Sequence, residues 1–223
     1  MDLPPLHDVA EQALAAVKPR LRGWLHLGAF PLAVVGGGVL VVAAHGTRAR
    51  LACAIYAVTA ALLFGVSALY HRGRWSPRSL AVLKRFDHAN IFLIIAGTYT
   101  PFALLVLPPG PGRVLLWTVW LGALAGVVFR VVWVGAPRWL SVLLYITLGW
   151  TAVLLLPSFL RSGGWVMTVL IVLGGALYSA GGVVYAMRRP DPAPRIFGYH
   201  EVFHALTITA FAVQYVAVSL AAY

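Results

Sequence analysis

The chain has 223 residues, of which 61% are hydrophobic and only 10% are charged. This composition excludes an ordinary soluble domain and is typical of a polytopic membrane protein. The formal charge of +11 would suit a nucleic-acid-binding protein, but the basic residues lie between the apolar runs, where they set topology. We therefore expect membrane lipid as the environment and possible substrate, and no nucleic-acid partner.

Apolar runs account for nearly the whole chain. Each run is close to the length of about 20 residues that a helix needs to cross a bilayer. They predict an all-α membrane protein, a seven-transmembrane helix bundle, with spans at 25–44, 51–71, 87–107, 113–133, 139–156, 165–187 and 200–220. A short interfacial helix is predicted over 6–17. The chain is thus expected to divide into a cytosolic interfacial arm, 1–24, and a membrane domain, 25–223.

The distribution of basic residues predicts the orientation. With seven spans, 13 of the 17 Lys and Arg residues fall on the side of the N-terminus, and the other side holds only Arg48, Arg50, Arg113 and Arg161. Basic residues near span ends are retained in the cytosol. We therefore expect a cytosolic N-terminus, an external C-terminus and a location in the plasma or inner membrane.

Several other residues in or near the spans are assigned structural roles. Pro101 follows Thr98-Tyr99-Thr100 in mid-membrane, which indicates a bent helix that lines a polar interior. Arg130, near the end of the fourth span, is expected to extend its charge to the interface. His26 and His88 are assigned to the inner interface.

The segment Gly198-Tyr-His-Glu-Val-Phe-His-Ala-Leu206 opens the last span and carries a motif with metal-ligand spacing. His200 and His204 are four residues apart, which places them on one helix face, about 6 Å apart along the axis. Ionisable residues in a membrane usually face the bundle interior or a polar cavity. The motif therefore predicts a functional site at the mouth of this span.

The predicted topology brings further polar residues to the same depth. The second span ends at His71 at the cytosolic face, and the third span begins there with Asp87. Three imidazoles with one open position are typical of a catalytic zinc site. Ser67, one turn before His71, would lie on the same face just beneath the metal.

Structural explanations exist for each residue. The histidine pair would also suit interfacial packing, and Asp87 is a natural N-cap for the third span. Ser67 would also suit a hydrogen bond to a carbonyl of its own helix.

Taken together, these residues resemble the haemolysin III branch of the progestin and adiponectin receptor (PAQR) family. The resemblance covers essentially the whole chain and rests on three blocks: Ser67-Ala-Leu-Tyr-His71, Phe86-Asp-His-Ala-Asn-Ile-Phe-Leu-Ile-Ile-Ala-Gly-Thr-Tyr-Thr-Pro-Phe102 and Gly198-Tyr-His-Glu-Val-Phe-His204. It implies a seven-helix bundle with zinc bound near the cytosolic face by His71, His200 and His204, a water also contacted by Asp87, and Ser67 nearby.

The resemblance also implies membership of a wider group of proposed membrane lipid hydrolases that includes alkaline ceramidases. Bacterial members carry the haemolysin name, which implies a lytic or pore-forming role. The arm before the first predicted span is short, whereas the receptors have a long cytosolic N-terminal region, so receptor signalling is not expected.

Three functions follow as hypotheses. The first is a zinc-dependent hydrolase of a lipid amide or ester bond, with Asp87 as the acid that works on the water and Ser67 as a donor to the oxyanion. The second is an intramembrane protease, since His200-Glu-Val-Phe-His204 fits the His-Glu-x-x-His pattern with Glu201 as general base. The third is a non-enzymatic sensor, receptor, channel or pore in which zinc only joins helices. The oligomeric state is left open.

Overall fold

The computed structural model describes residues 19–133 and 135–223, and the regular elements of this part are helices. The interfacial helix predicted over 6–17 lies outside the described residues. The helices are α1 (Trp24–Ala43), α2 (Gly46–Arg72), α3 (Pro77–Pro101), α4 (Pro109–Val132), α5 (Arg138–Gly149), α6 (Leu156–Met187) and α7 (Tyr199–Ala222). A π-helical turn, Phe102–Val106, extends α3, and a 3₁₀ turn, Thr151–Leu155, joins α5 to α6.

Six segments of the described chain are long and apolar enough to cross a membrane. Large apolar side chains such as Leu32, Val42 and Leu154 cover their outer surfaces. Exposed apolar surface of this extent needs lipid around it. The protein is therefore a multi-pass membrane helix bundle, as predicted.

The fifth of these segments joins two predicted spans. It runs over Arg138–Met187, 50 residues, and comprises α5, the 3₁₀ turn and α6. Gly164 breaks the helical geometry within α6, with φ 76° and ψ 175°, and it lies between the spans predicted at 139–156 and 165–187. The count of seven spans stays a prediction.

The bundle is arranged around α3, the most enclosed of these helices. It packs against α2, α4, α5 and α7, and α7 also contacts α1, α2 and α6. These contacts bring the C-terminal end of α2 and the N-terminal end of α7 close to each other beside α3.

Helix α3 begins ten residues earlier than predicted. Ser76 is its N-cap and accepts a hydrogen bond from the Ser79 backbone N–H at 3.3 Å, and Pro77 occupies the first turn. Asp87 therefore lies inside the helix, and the interpretation of this residue as an N-cap is wrong. Its carboxylate is available to the neighbouring helices.

The chain before α1 is tied to the start of α7. The backbone N–H groups of Arg20 and Leu21 donate to the carbonyls of Arg195 and Ile196 at 3.0 and 3.1 Å. Gly23 then turns the chain into α1 with φ 80°, and a Cβ on it would lie 2.6 Å from the Cβ of His71. Glycine is needed here because this backbone conformation and this close approach both disfavour a side chain.

Candidate metal centre

Three histidines from two helices converge at one end of the bundle. His71 lies in the last turn of α2, and His200 and His204 lie in the first turns of α7. The Nε2 atoms of His71 and His200 are 3.2 Å apart. The ring centroid of His204 is 5.3 Å from that of His71 and 4.4 Å from that of His200.

This geometry fits a metal ion. Each histidine offers a ring nitrogen, and the three nitrogens lie within 4.8 Å of one another. Two nitrogens on a tetrahedral zinc ion are about 3.3 Å apart, close to the separation of His71 and His200. In addition, Nδ1 of His204 is buried and has no hydrogen-bond partner among the described residues. The donor set suits zinc, and three ligands leave one position open.

Asp87 and Ser67 lie beside the three histidines. Oδ2 of Asp87 is 3.8 Å from Nε2 of His71, which is too long for a hydrogen bond but places the carboxylate beside a ligand nitrogen. Ser67 is buried one turn before His71. Both residues line the same cavity as His200 and His204. The two residues predicted for chemistry thus border the predicted ligands.

His26 was missed by sequence reasoning. It is buried, not interfacial, and its ring stacks on that of His204 with centroids 3.7 Å apart and planes at 9°. Neither of its ring nitrogens has a hydrogen-bond partner among the described residues. One signal was available: of the histidines in the membrane domain, only His45 falls on the predicted outer side. His26 therefore adds a fourth imidazole to the predicted cluster.

His88 lies near the three histidines, but its polar atoms bind other residues. Its Nδ1 lies 2.7 Å from the Lys84 carbonyl oxygen and its Nε2 lies 3.3 Å from the Tyr185 hydroxyl. Tyr145 donates to the backbone carbonyl of His88 at 3.2 Å. Both ring nitrogens are thus engaged away from the three ligands, and the side chain packs within the bundle rather than at the interface.

Glu201 is directed away from the histidines. It is fully buried, and its Oε1 pairs with Nε of Arg22 at 2.5 Å. Its Oε2 accepts a hydrogen bond from the backbone N–H of Gly198 at 2.9 Å. Because both oxygens are occupied, the geometry disfavours Glu201 as the general base of a His-Glu-x-x-His protease.

Arg130 also differs from its predicted environment. It is buried, and its Nη1 donates to the Ser141 hydroxyl at 3.0 Å. The expected extension of this charge to the interface is therefore wrong. The reason is the partner on α5, which a sequence pattern on α4 does not reveal.

A cavity of about 120 Å³ extends from the histidines into the bundle. Its walls combine the polar groups at the metal end with apolar side chains, including Ile91, Ile94, Ile95 and Phe203, and it reaches Tyr178 and Gln214 at the other end. Thr98 and Tyr99 line it before the π-helical turn that follows Pro101. A largely apolar cavity of this kind is suited to part of a lipid.

Comparison with known proteins agrees with these features. Residues 14–215 match the model of the family described as "Haemolysin-III related". The "Hemolysin-3 homolog" of Bacillus subtilis (strain 168) is 32% identical over 69% of each chain. The "Hemolysin-3" of Bacillus cereus is 35% identical over 63% of this chain and 64% of its own length.

A more distant relative extends the comparison to animals. The human "Monocyte to macrophage differentiation factor" is 25% identical over 83% of this chain and 76% of its own length. The family match covers most of the membrane helices and all of the residues of the candidate centre. The chain is therefore a member of the haemolysin III-related branch of the PAQR family.

Proposed function

We propose that this protein is a zinc-dependent hydrolase that cleaves an amide or ester bond of a membrane lipid. The observation that carries the proposal is the convergence of His71, His200 and His204 at one end of a largely apolar cavity, with Asp87 and Ser67 beside them. Three ligands leave a position for chemistry, whereas a purely structural zinc site has four protein ligands.

A zinc ion bound by the three imidazoles would supply a Lewis acid for attack of water on a carbonyl. Asp87 accepts a proton from the attacking water, and the oxygen of that water bonds to the carbonyl carbon. Asp87 then returns the proton to the leaving nitrogen or oxygen as the carbon–heteroatom bond breaks. Ser67 donates a hydrogen bond to the carbonyl oxygen as its charge develops, which in soluble enzymes is worth about 3 kcal/mol.

The membrane arrangement is part of the proposal. We assign residues 1–24 to a cytosolic arm and residues 25–223 to a seven-span domain in the plasma membrane. The excess of basic residues on the side of the N-terminus supports this orientation. It would put the three histidines near the cytosolic face and the cavity within the bilayer, where a lipid enters from the side.

Fatty-acid release tests the proposal. The purified protein, loaded with zinc and placed in vesicles of mixed phospholipids and sphingolipids, is expected to release fatty acid, detected by mass spectrometry. Ser67→Ala is expected to slow the release about a hundredfold while zinc is retained. A zinc-loaded wild-type protein that releases nothing from any lipid class would favour the non-enzymatic alternative, in which zinc only joins α2 to α7.

The name of the two Bacillus relatives favours a second candidate, a lytic or pore-forming role. Leakage of a trapped dye from vesicles tests it. Leakage that is unchanged in Ser67→Ala and Asp87→Asn would separate lysis from hydrolysis.

A further inference from the structure

The end of the cavity remote from the histidines holds two polar atoms without a protein partner. The hydroxyl oxygen of Tyr178 and Oε1 of Gln214 are buried and have no hydrogen-bond partner among the described residues. Both residues line the cavity. A buried polar group without a hydrogen bond is costly, and especially so in a membrane protein, where no bulk water reaches it.

The two residues come from helices that pack against each other, α6 and α7. The side chain of Gln214 lies on Gly174, where any Cβ would collide with it. Tyr178 follows Gly174 by one turn on the same face of α6. Nε2 of Gln214 donates to the Ile171 carbonyl at 3.1 Å, which orients the amide and leaves Oε1 as the unpaired acceptor. An unpaired hydroxyl on α6 and an unpaired amide oxygen on α7 therefore both belong to residues that line this part of the cavity.

Two hydroxyl groups that also line the cavity have partners. The Ser179 hydroxyl donates to the Gly175 carbonyl and accepts from Trp150, each at 2.8 Å. The Thr207 hydroxyl donates to the Phe203 carbonyl at 2.9 Å. Tyr178 and Gln214 thus differ from Ser179 and Thr207. The other unpaired buried side-chain atoms on the cavity, among the described residues, belong to His26 and His204 at the metal end.

The distance between the two ends limits what the cavity can hold. Gln214 follows His204 by ten residues on the same helix, which corresponds to about 15 Å along the axis. Apolar side chains such as Ile94 and Ile95 line the space between. A molecule that contacts both ends has a polar group at each end and an apolar middle.

We propose that Tyr178 and Gln214 bind a hydroxyl group on the remote part of a lipid whose other polar group lies at the three histidines. One hydroxyl accepts a hydrogen bond from Tyr178 and donates one to Gln214, so it satisfies both atoms. A terminal methyl group satisfies neither, and a carboxylate has no proton for the Gln214 oxygen. The ligand class is therefore a hydroxylated medium-chain lipid. As a statement about substrate this rests on the proposed function, but binding of the hydroxyl does not require turnover.

Matched probes test the hydroxyl site. Decanoic, dodecanoic and tetradecanoic acids are compared with their ω-hydroxy derivatives and with the primary alcohols of the same lengths. Binding to the zinc-loaded protein in detergent is measured by native mass spectrometry. For at least one length, the ω-hydroxy acid is expected to bind about tenfold more tightly than the parent acid, the effect of two ordinary hydrogen bonds.

Three variants locate the effect. Tyr178→Phe removes one oxygen atom, and Gln214→Leu removes the amide. Each is expected to abolish most of the increase in affinity that the ω-hydroxyl group gives, while the parent acid binds as before. Thr207→Val is the matched control, since it removes a hydroxyl that already has a partner. This variant is expected to keep the higher affinity for the ω-hydroxy acid. If Gln214→Leu does not fold, Tyr178→Phe alone decides.

The alcohols separate this proposal from the hydrolase. Wild type is expected to bind the alcohol that matches the cavity severalfold more tightly than Tyr178→Phe does, with or without a chelator. If the zinc-loaded protein releases no fatty acid from any lipid class but this preference remains, the hydrolase proposal fails and the hydroxyl site stands. The hydroxyl site would be overturned if acids and ω-hydroxy acids bind equally at all lengths and Tyr178→Phe does not change alcohol binding. Tyr178 and Gln214 would then be assigned to binding internal water.

Discussion

Glu201 and Arg22 form a buried ion pair that links the chain before α1 to the first turn of α7, with 2.5 Å between Oε1 and Nε. The pair lies one residue from His200 and three from His204. It therefore supports the helix end that carries two candidate ligands, and it gives Glu201 a structural role.

Replacing Glu201 by Gln is expected to destabilise the protein by about 2 kcal/mol, because it leaves the Arg22 guanidinium without its charge partner. Zinc content and activity are expected to persist. Thermal unfolding in detergent measures the first and metal analysis the second. The double variant Arg22→Met/Glu201→Gln is the control, since it removes both charges, and it is expected to recover part of the loss. A Glu201→Gln protein as stable as wild type would contradict the role of the pair.

Asp87→Asn distinguishes the acid that works at the metal. Asp87 is 3.8 Å from a ligand nitrogen, and an amide at this position cannot accept a proton from water. We expect this variant to bind zinc as wild type does and to lose fatty-acid release by at least a hundredfold. An active Asp87→Asn beside an inactive, zinc-loaded Glu201→Gln would reverse the assignment and favour the protease.

His26 supports the ring of His204 by stacking, so another aromatic side chain at this position is expected to give similar support. His26→Phe should bind zinc within about threefold of wild type, whereas His26→Ala should bind it about tenfold more weakly, as expected for loss of a group that orients a ligand. Competition with a chromogenic chelator measures both affinities. Unchanged zinc affinity in His26→Ala would show that the stack does not orient His204.

Gly23→Ala is expected to weaken zinc binding and lower the unfolding temperature. The added Cβ would require a backbone of φ 80° and a contact of 2.6 Å with His71, at a cost of about 1–2 kcal/mol from the backbone alone. Gly28→Ala is the matched control on α1, since a Cβ there meets nothing within 4 Å. Equal effects of the two substitutions would exclude a specific role for the Gly23 turn.

Sequence patterns predicted the helical fold and the ligand cluster for different reasons. The spacing of His200 and His204 is a local property of one helix, and the charge pattern then brought His71 to the same depth. The start of α3 was misplaced because Lys84 and Arg85 were interpreted as loop residues, whereas they occupy a helix that begins beyond the apolar run. The burial of His26 depends on the packing of α1 against α7, and that of Arg130 depends on Ser141. The only sequence signal for either was that His26 falls on the same predicted side as the ligand histidines.

Reporter fusions at the two ends test the topology. The excess of basic residues on one side predicts a cytosolic N-terminus and an external Tyr223. A fusion at each end, assayed in intact cells, is expected to report opposite compartments. If both ends report the same compartment, the span count is wrong by one, and the joined segment Arg138–Met187 is where the error lies.

Metal analysis of the purified protein and of its His200→Ala and His204→Ala variants tests the central claim most directly. Plasma mass spectrometry is expected to find about one zinc ion per wild-type chain, since three ring nitrogens lie within 4.8 Å of one another. Each variant is expected to lose most of the metal, because two imidazoles hold zinc weakly. Full zinc content in both variants, or a wild-type protein that binds no zinc from buffer containing it, would contradict the metal centre.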